Sequence, residues 1–338
     1  MTDRGRDGGS TPVRRRRYGI AAAALVLLAV VGLAVADQTD PGAVAPQVDV
    51  AHLDVGGPVP SLNAAAGWIN SPPLPRAELA GKVVLYDFWT YSCINCIRTL
   101  PQLMSWSQRY APDGLVVVGV HSPEFDFEKD HGNVRDAVAR LGVDYPVALD
   151  DSMSIWSAFG ANYWPETFVA DRQGRQRYHH IGEGDERQTE DVLRSLLGVP
   201  AGAPRASAPS TDAGRAPESG DHVTPETYLG TARGEADAVR LVGGWSADDE
   251  RVRSTRAGAE IVLRYRAREV NLVMAAPDQP PGVPIEVTVE LDGRPQAPVQ
   301  VLASDRYRLV LTRGIEEHVV RVRASGPGLE AYAFTFGS

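Results

Sequence analysis

Cysteine and lysine are both scarce in this chain. Cys93 and Cys96 are the only cysteines in 338 residues, and Lys82 and Lys129 are the only lysines among 34 basic side chains. Two cysteines cannot build a disulfide framework or an all-cysteine zinc site, because tetrahedral zinc takes four ligands. Zinc held by both cysteines and two of His121, His131, His179 and His180 stays open in principle, yet no H-x3-5-H spacing ties those histidines to the cysteines. The lysine shortage, with much Ala, Gly, Pro and Arg, fits a GC-rich coding sequence rather than a function. Positive charge is also scarce beyond the start. The net charge is -9, the first 17 residues carry six Arg against Asp3 and Asp7, and the remaining body is therefore -13. An acidic body argues against nucleic acid as a partner.

What is present is a thiol pair in a particular setting. The run Val83-Val84-Leu85-Tyr86-Asp87-Phe88-Trp89 reads as a buried strand, and Cys93-Ile94-Asn95-Cys96 follows it. With Cys93 at the first turn of a helix, unpaired amides and the helix dipole favour a thiolate, and Cys96 three residues on shares its face. Cys93 is then the attacking sulfur and Cys96 the resolving one. Thiolates in such motifs have pKa values of roughly 3.5 to 7.5, so attack on a disulfide needs no metal and no cofactor. A purely structural bridge is the blander reading, but so short a loop removes little chain entropy. Thiol peroxidase chemistry meets a mismatch: Thr90-x-x-Cys93 copies part of a P-x-x-x-T-x-x-C pattern, but Tyr86 stands at the proline position.

Arg14 to Arg17 precede an apolar run over 19–36 with no charge, which reads as an export signal after a basic segment over 1–18. The run is near the minimum for a spanning helix, and Ala34-Val35-Ala36 resembles a cleavage site, so a signal anchor and a cleaved peptide both stay open. In either case the cysteines face outward, anchored to the cytoplasmic membrane or secreted. No cysteine closes the apolar run, which excludes a lipoprotein. A spacer is expected over 37–52 and an α/β domain over 53–198, with strands over 82–89, 115–121 and 146–149, a hairpin over 167–171 and 175–181, and helices over 93–110, 127–141, 153–159 and 185–197. Pro, Ala, Ser and Gly make a linker of 199–221, and short alternating runs over 222–338 predict a β-sandwich of about eight strands.

Asp87-Phe88-Trp89, the C-x-x-C pair and Pro101 resemble the active-site strand and helix of thioredoxin-fold proteins. Trp68-Ile69-Asn70-Ser71, Gly81-Lys82-Val83-Val84, Val118 to Phe125 and Tyr163-Trp164-Pro165 extend the likeness to TlpA/ResA redoxins, and most closely to the extracytoplasmic portion of DipZ-type proteins. The resemblance implies an extracytoplasmic thiol-disulfide oxidoreductase acting on protein thiols and disulfides. It makes Asp87 the proton acceptor for Cys96, Pro165 a cis-proline facing the disulfide, and Trp164 and Trp89 substrate-binding residues. It also implies a jelly roll similar to carbohydrate-binding modules at 222–338, with a glycan as candidate ligand and Trp245 as the aromatic that could stack on a sugar, although a sandwich Trp is more often core. In DipZ-type proteins a multi-span electron-carrying domain precedes this region. Here the resemblance implies a separate membrane electron donor. An extracytoplasmic binding or adaptor protein, with the β domain carrying the role, is the alternative.

Overall fold

The computed structural model describes residues 53, 55–208, 222–233, 239–280 and 282–337, so the basic segment, the apolar run and the whole of the first spacer lie outside the described residues. Among the described residues no helix is long and apolar enough to cross a membrane.

The first domain is a thioredoxin-like fold. Strands β1 (Gly67–Ile69), β2 (Val83–Trp89), β3 (Leu115–His121), β4 (Val147–Leu149), β5 (Glu166–Ala170) and β6 (Gln176–Ile181) form one sheet in the order β1-β4-β3-β2-β5-β6. The β2–β3 and β3–β4 pairs are parallel, and the others are antiparallel. Helices α1 (Ile94–Tyr110), α2 (His131–Leu141), α3 (Ser154–Phe159) and α4 (Glu186–Leu197) complete it. Every residue of β2 is buried. Its lack of alternation is the signature of a strand covered on both faces. Leu85 and Trp89 pack with Cys96, Leu100 and Trp106 of α1 in one core, whereas Tyr86 and Phe88 pack with Ile155 in a second. Asp87 therefore falls on the α1 side.

Two local readings change. The helix expected over 127–141 is split, because Asp130 accepts from the amides of Gly132 and Asn133 and so caps α2, leaving Asp126–Lys129 as a separate 3-10 turn. The stretch expected as linker is docked over its first part. Arg194, 2% exposed, donates to the carbonyls of Pro200, Ala201 and Ala203, and Arg205 pairs with Glu190 and Asp191.

The second domain is all β. Among the described residues its strands are β7 (Thr227–Tyr228), β8 (Val239–Val242), β9 (Trp245–Ala247), β10 (Val252–Ser254), β11 (Glu260–Ala275), β12 (Ile285–Leu291), β13 (Arg294–Pro295), β14 (Val299–Val301), β15 (Asp305–Ala324) and β16 (Glu330–Gly337). The runs Glu260 to Tyr265 and Val270 to Ala275, which read as separate strands in the sequence, join into β11, and Tyr307 to Leu311 and His318 to Arg323 join into β15. The two pair antiparallel along their length, with register shifts after Ala267 and Val270 that keep the ladder intact through a bulge. Ile261, Leu263, Tyr265 and Ala267 before the bulge, and Val270, Leu272 and Met274 after it, all enter one core. The switch from odd to even positions is what a bulge does to side-chain direction.

The other face of this sheet meets the first domain. Val273, Ala275, Tyr332 and Ala333 bury against Phe125 and Phe127, with the Tyr332 ring 5.1 Å and 4.8 Å from theirs. All eight residues of β16 are consequently buried. Tyr91 Oη donates to the Ser304 carbonyl at 3.1 Å, and Arg140 pairs with Asp305 at 2.6 Å.

Candidate active site

The chain leaves β2 at the carboxyl edge of the parallel strands and enters α1 through Cys93, which is the N-cap rather than part of the first turn. Its Sγ accepts from the Cys96 amide at 3.3 Å and points its thiol at the Trp164 carbonyl at 3.8 Å. Cys93 is half-buried and Cys96 fully buried, and both are free thiols. Just before the pair, Ser92 Oγ donates to Glu128 Oε1 at 2.6 Å. Glu128 Oε2 in turn accepts the amides of Glu124 at 2.6 Å and Phe125 at 3.0 Å. The thiol segment is thereby tied to the loop that carries the interdomain aromatics.

The electrostatics differ from the sequence expectation of a depressed Cys93 pKa. Burial pushes the Cys93 thiol above its ordinary value; bonds from the Cys96 thiol and amide oppose the rise, and Glu226 and Glu124 add to it. The N-terminal amides act as expected but do not outweigh desolvation. Cys96 lies well above its ordinary value, through burial, its bond to Cys93 and the charge of Asp87. Cys93 still ionises first. Burial lifts the Asp87 carboxyl to about 7, against one bond from Thr167 Oγ1 at 3.5 Å, and its Oδ2 is buried without a partner among the described residues. Asp87 borders a small cavity of about 30 Å³ with Thr99, Thr167, His180 and Glu186. Glu128, buried beside Ser92, is likewise raised to about 7. His121 is pushed down to about 3 by burial and is a neutral packing group between Trp89 and Tyr91.

The Trp164–Pro165 bond is cis. Pro165 is buried and its carbonyl accepts from the Gly182 amide at 2.9 Å, so the Trp164 carbonyl is the backbone group that faces Cys93. Trp164 stacks on Trp156 with centroids 4.2 Å apart and donates Nε1 to the Ser122 carbonyl. Trp89 is not a substrate-binding residue: it is 0% exposed. Two residues from Asp87 on the same strand face, its indole turns inward into the space left by Gly119, where a Cβ would lie 2.8 Å from Nε1. Trp245 is half-buried against the β core and donates Nε1 to the Val242 and Glu260 carbonyls. Among the described residues no group of three or more His, Cys, Asp or Glu side chains could hold a metal ion.

Sequence reasoning missed Glu128, Glu226 and Thr335. Glu128 sits in a charged stretch that reads as a solvated face, and the other two come from the second domain. Together with Cys93, Ile94, Asn95 and Glu183, residues 222–226, Thr335 and Phe336 line a cleft of about 390 Å³ over the thiol.

Two family models match: one described as redoxin over residues 56–197, and one described as thioredoxin like C-terminal domain over 217–337. Protein DipZ of Mycobacterium tuberculosis is 34% identical over 320 residues, covering 85% of this chain and 44% of DipZ, so the chain spans less than half the length of that relative. Thiol-disulfide oxidoreductase YkuV of Bacillus subtilis is 29% identical over 141 residues, covering 41% of this chain and 94% of YkuV. The chloroplastic protein SUPPRESSOR OF QUENCHING 1 of Arabidopsis thaliana is 41% identical over 140 residues, covering 41% of this chain and 13% of its own.

Proposed function

We propose, on the premise that the chain belongs to the redoxin family of thioredoxin-like thiol-disulfide oxidoreductases, that Cys93 and Cys96 exchange electrons with cysteines of protein substrates. The observation that carries this reading is a half-buried thiol at a helix N-cap, its sulfur held by the Cys96 amide and turned to the Trp164 carbonyl. Cys93 thiolate attacks one sulfur of a substrate disulfide, a mixed disulfide forms, and the other substrate sulfur leaves as a thiolate that takes a proton. Cys96 gives its proton to Asp87 and attacks Cys93 Sγ. The second substrate thiol leaves, and two electrons have passed from the dithiol to the substrate, leaving a Cys93–Cys96 disulfide. Asp87, near 7, can hold that proton at neutral pH, and it borders a small cavity. Trp164 and Pro165 present the backbone edge to the substrate.

The couple works in the reducing direction. An oxidant such as DsbA owes its potential to a stabilised reduced thiolate, whereas burial here withholds that stabilisation from Cys93. An equilibrium potential against glutathione below about -200 mV is expected, and one near -120 mV refutes the direction. The basic segment and apolar run support a redox domain outside the cytoplasmic membrane, and a membrane electron donor returns the electrons. An all-β second domain with a large core of its own supports a jelly-roll reading similar to carbohydrate-binding modules. Insulin-disulfide reduction by the wild type and by Cys93→Ser tests the activity. Turnover that survives the substitution overturns it.

A further inference from the structure

Resting on that oxidoreductase reading, we propose that the cleft between Cys93 and the β domain is a binding site for an extended peptide carrying a basic side chain beside its cysteine, recognised by Glu226 and Thr335. The cleft is walled on one side by Cys93, Ile94 and Asn95 and on the other by residues 222–226 and Thr335. Its volume of about 390 Å³ lies at the lower end of the range for small-ligand sites. The Trp164 carbonyl beside the thiol can accept from the backbone of an extended segment entering the cleft.

Thr335 supplies the second hydrogen-bonding group. Along β16, Phe334 and Phe336 enter the β core, while Tyr332 and Ala333 pack toward the redoxin domain. Alternation turns Thr335 toward the redoxin domain as well. The residue is 4% exposed, and its hydroxyl has no hydrogen-bond partner among the described residues. Buried polar atoms are nearly always paired, so a bound backbone group that completes this hydroxyl is favoured.

Charge selects the occupant. Glu183 on the first wall is neutralised by a two-point pair with Arg98, at 2.7 Å and 3.0 Å. Arg233 is committed to Glu124 at 2.7 Å and to the ring face of Tyr228. Glu226 has the Tyr228 hydroxyl at 3.0 Å and no cation within ion-pair distance among the described residues. Burial and the charge of Glu124 raise the Glu226 carboxyl to about 8, so it is largely protonated in the free protein, and a substrate cation beside this solvent-facing carboxyl ionises it whereas an acidic side chain does not.

The test uses the full chain and two short peptide disulfides that differ only in Arg or Glu beside the cysteine, with neutral hydroxyethyl disulfide as reference. The expected kcat/KM favours the Arg peptide by about five-fold, as for a partly exposed ion pair, and the preference fades with salt. Glu226→Gln should bring the ratio toward one and Glu226→Lys should invert it. Thr335→Val should lower kcat/KM for both peptides by about five-fold, the loss of one hydrogen bond, with the ratio kept. Equal rates for the two peptides, with Cys93-dependent reduction of hydroxyethyl disulfide intact, overturn the cleft proposal alone. Failure to reduce any of the three disulfides overturns the oxidoreductase reading and the cleft proposal with it.

Discussion

Asp87→Asn separates the electrostatic role of this carboxyl from its packing. The folded protein holds Asp87 at about 7 against an ordinary 3.8 because desolvation outweighs the Thr167 bond. A carboxyl whose folded pKa is raised favours folding while it stays protonated. That support is complete below pH 3.8 and is lost as pH rises toward 7 and beyond. At one unit of pKa per 1.36 kcal/mol, the full penalty of an ionised Asp87 is about 4 kcal/mol, of which about 2.5 kcal/mol develops between pH 5 and pH 8. Asn cannot ionise, so the stability of Asp87→Asn minus that of the wild type should grow by about 2.5 kcal/mol over that interval, whatever constant the amide itself costs. Glu128, also near 7, is common to both proteins and cancels. Urea unfolding of both reduced proteins at pH 5, 6, 7 and 8 measures the difference. A gap that stays constant within about 0.5 kcal/mol refutes the raised pKa, being small against the linkage effect. The same variant should slow insulin reduction by about a hundred-fold at the step where Cys96 loses its proton. Unaltered turnover from pH 6 to 8 removes Asp87 from the mechanism.

In the reduced protein iodoacetamide should label Cys93 before Cys96, at a rate whose midpoint lies above the ordinary thiol pKa of about 8.5; a midpoint below pH 7 contradicts the desolvated thiol. Tyr332→Ala removes the ring between Phe125 and Phe127 and should lower stability by about 3 to 5 kcal/mol in urea unfolding, and a loss under about 1 kcal/mol shows that this sheet face is not a tightly packed interface. Arg194→Met should release the carbonyls of Pro200, Ala201 and Ala203 and speed proteolysis within 199–208. Cleavage at the wild-type rate shows the docking of that stretch to be incidental.

Much of the redoxin domain is legible because its information is local. An apolar strand without alternation, a C-x-x-C pair at a helix start and hairpin punctuation each act through neighbours in the chain, and all recur in β2, α1 and the β5–β6 pair. Boundaries slipped where a side chain caps a turn, as Asp130 does ahead of α2. In the β domain the pattern located the strands but split β11 and β15, since a bulge interrupts side-chain alternation without interrupting the backbone ladder.

The pairing of the two thiols at a helix start, which points to dithiol chemistry, and the strand position that turns Asp87 toward α1 follow from residue types and periods of two and 3.6. How those groups ionise was decided only by tertiary structure. Desolvation depends on what covers a group, and Cys93 is covered by a cis-proline loop 71 residues away and lies beside residues of a second domain more than 120 residues away. That is why a helix start that favours a thiolate sits beneath a thiol pushed upward, why Trp89 turns out to be core, and why Glu128, Glu226 and Thr335 join the site from distant segments.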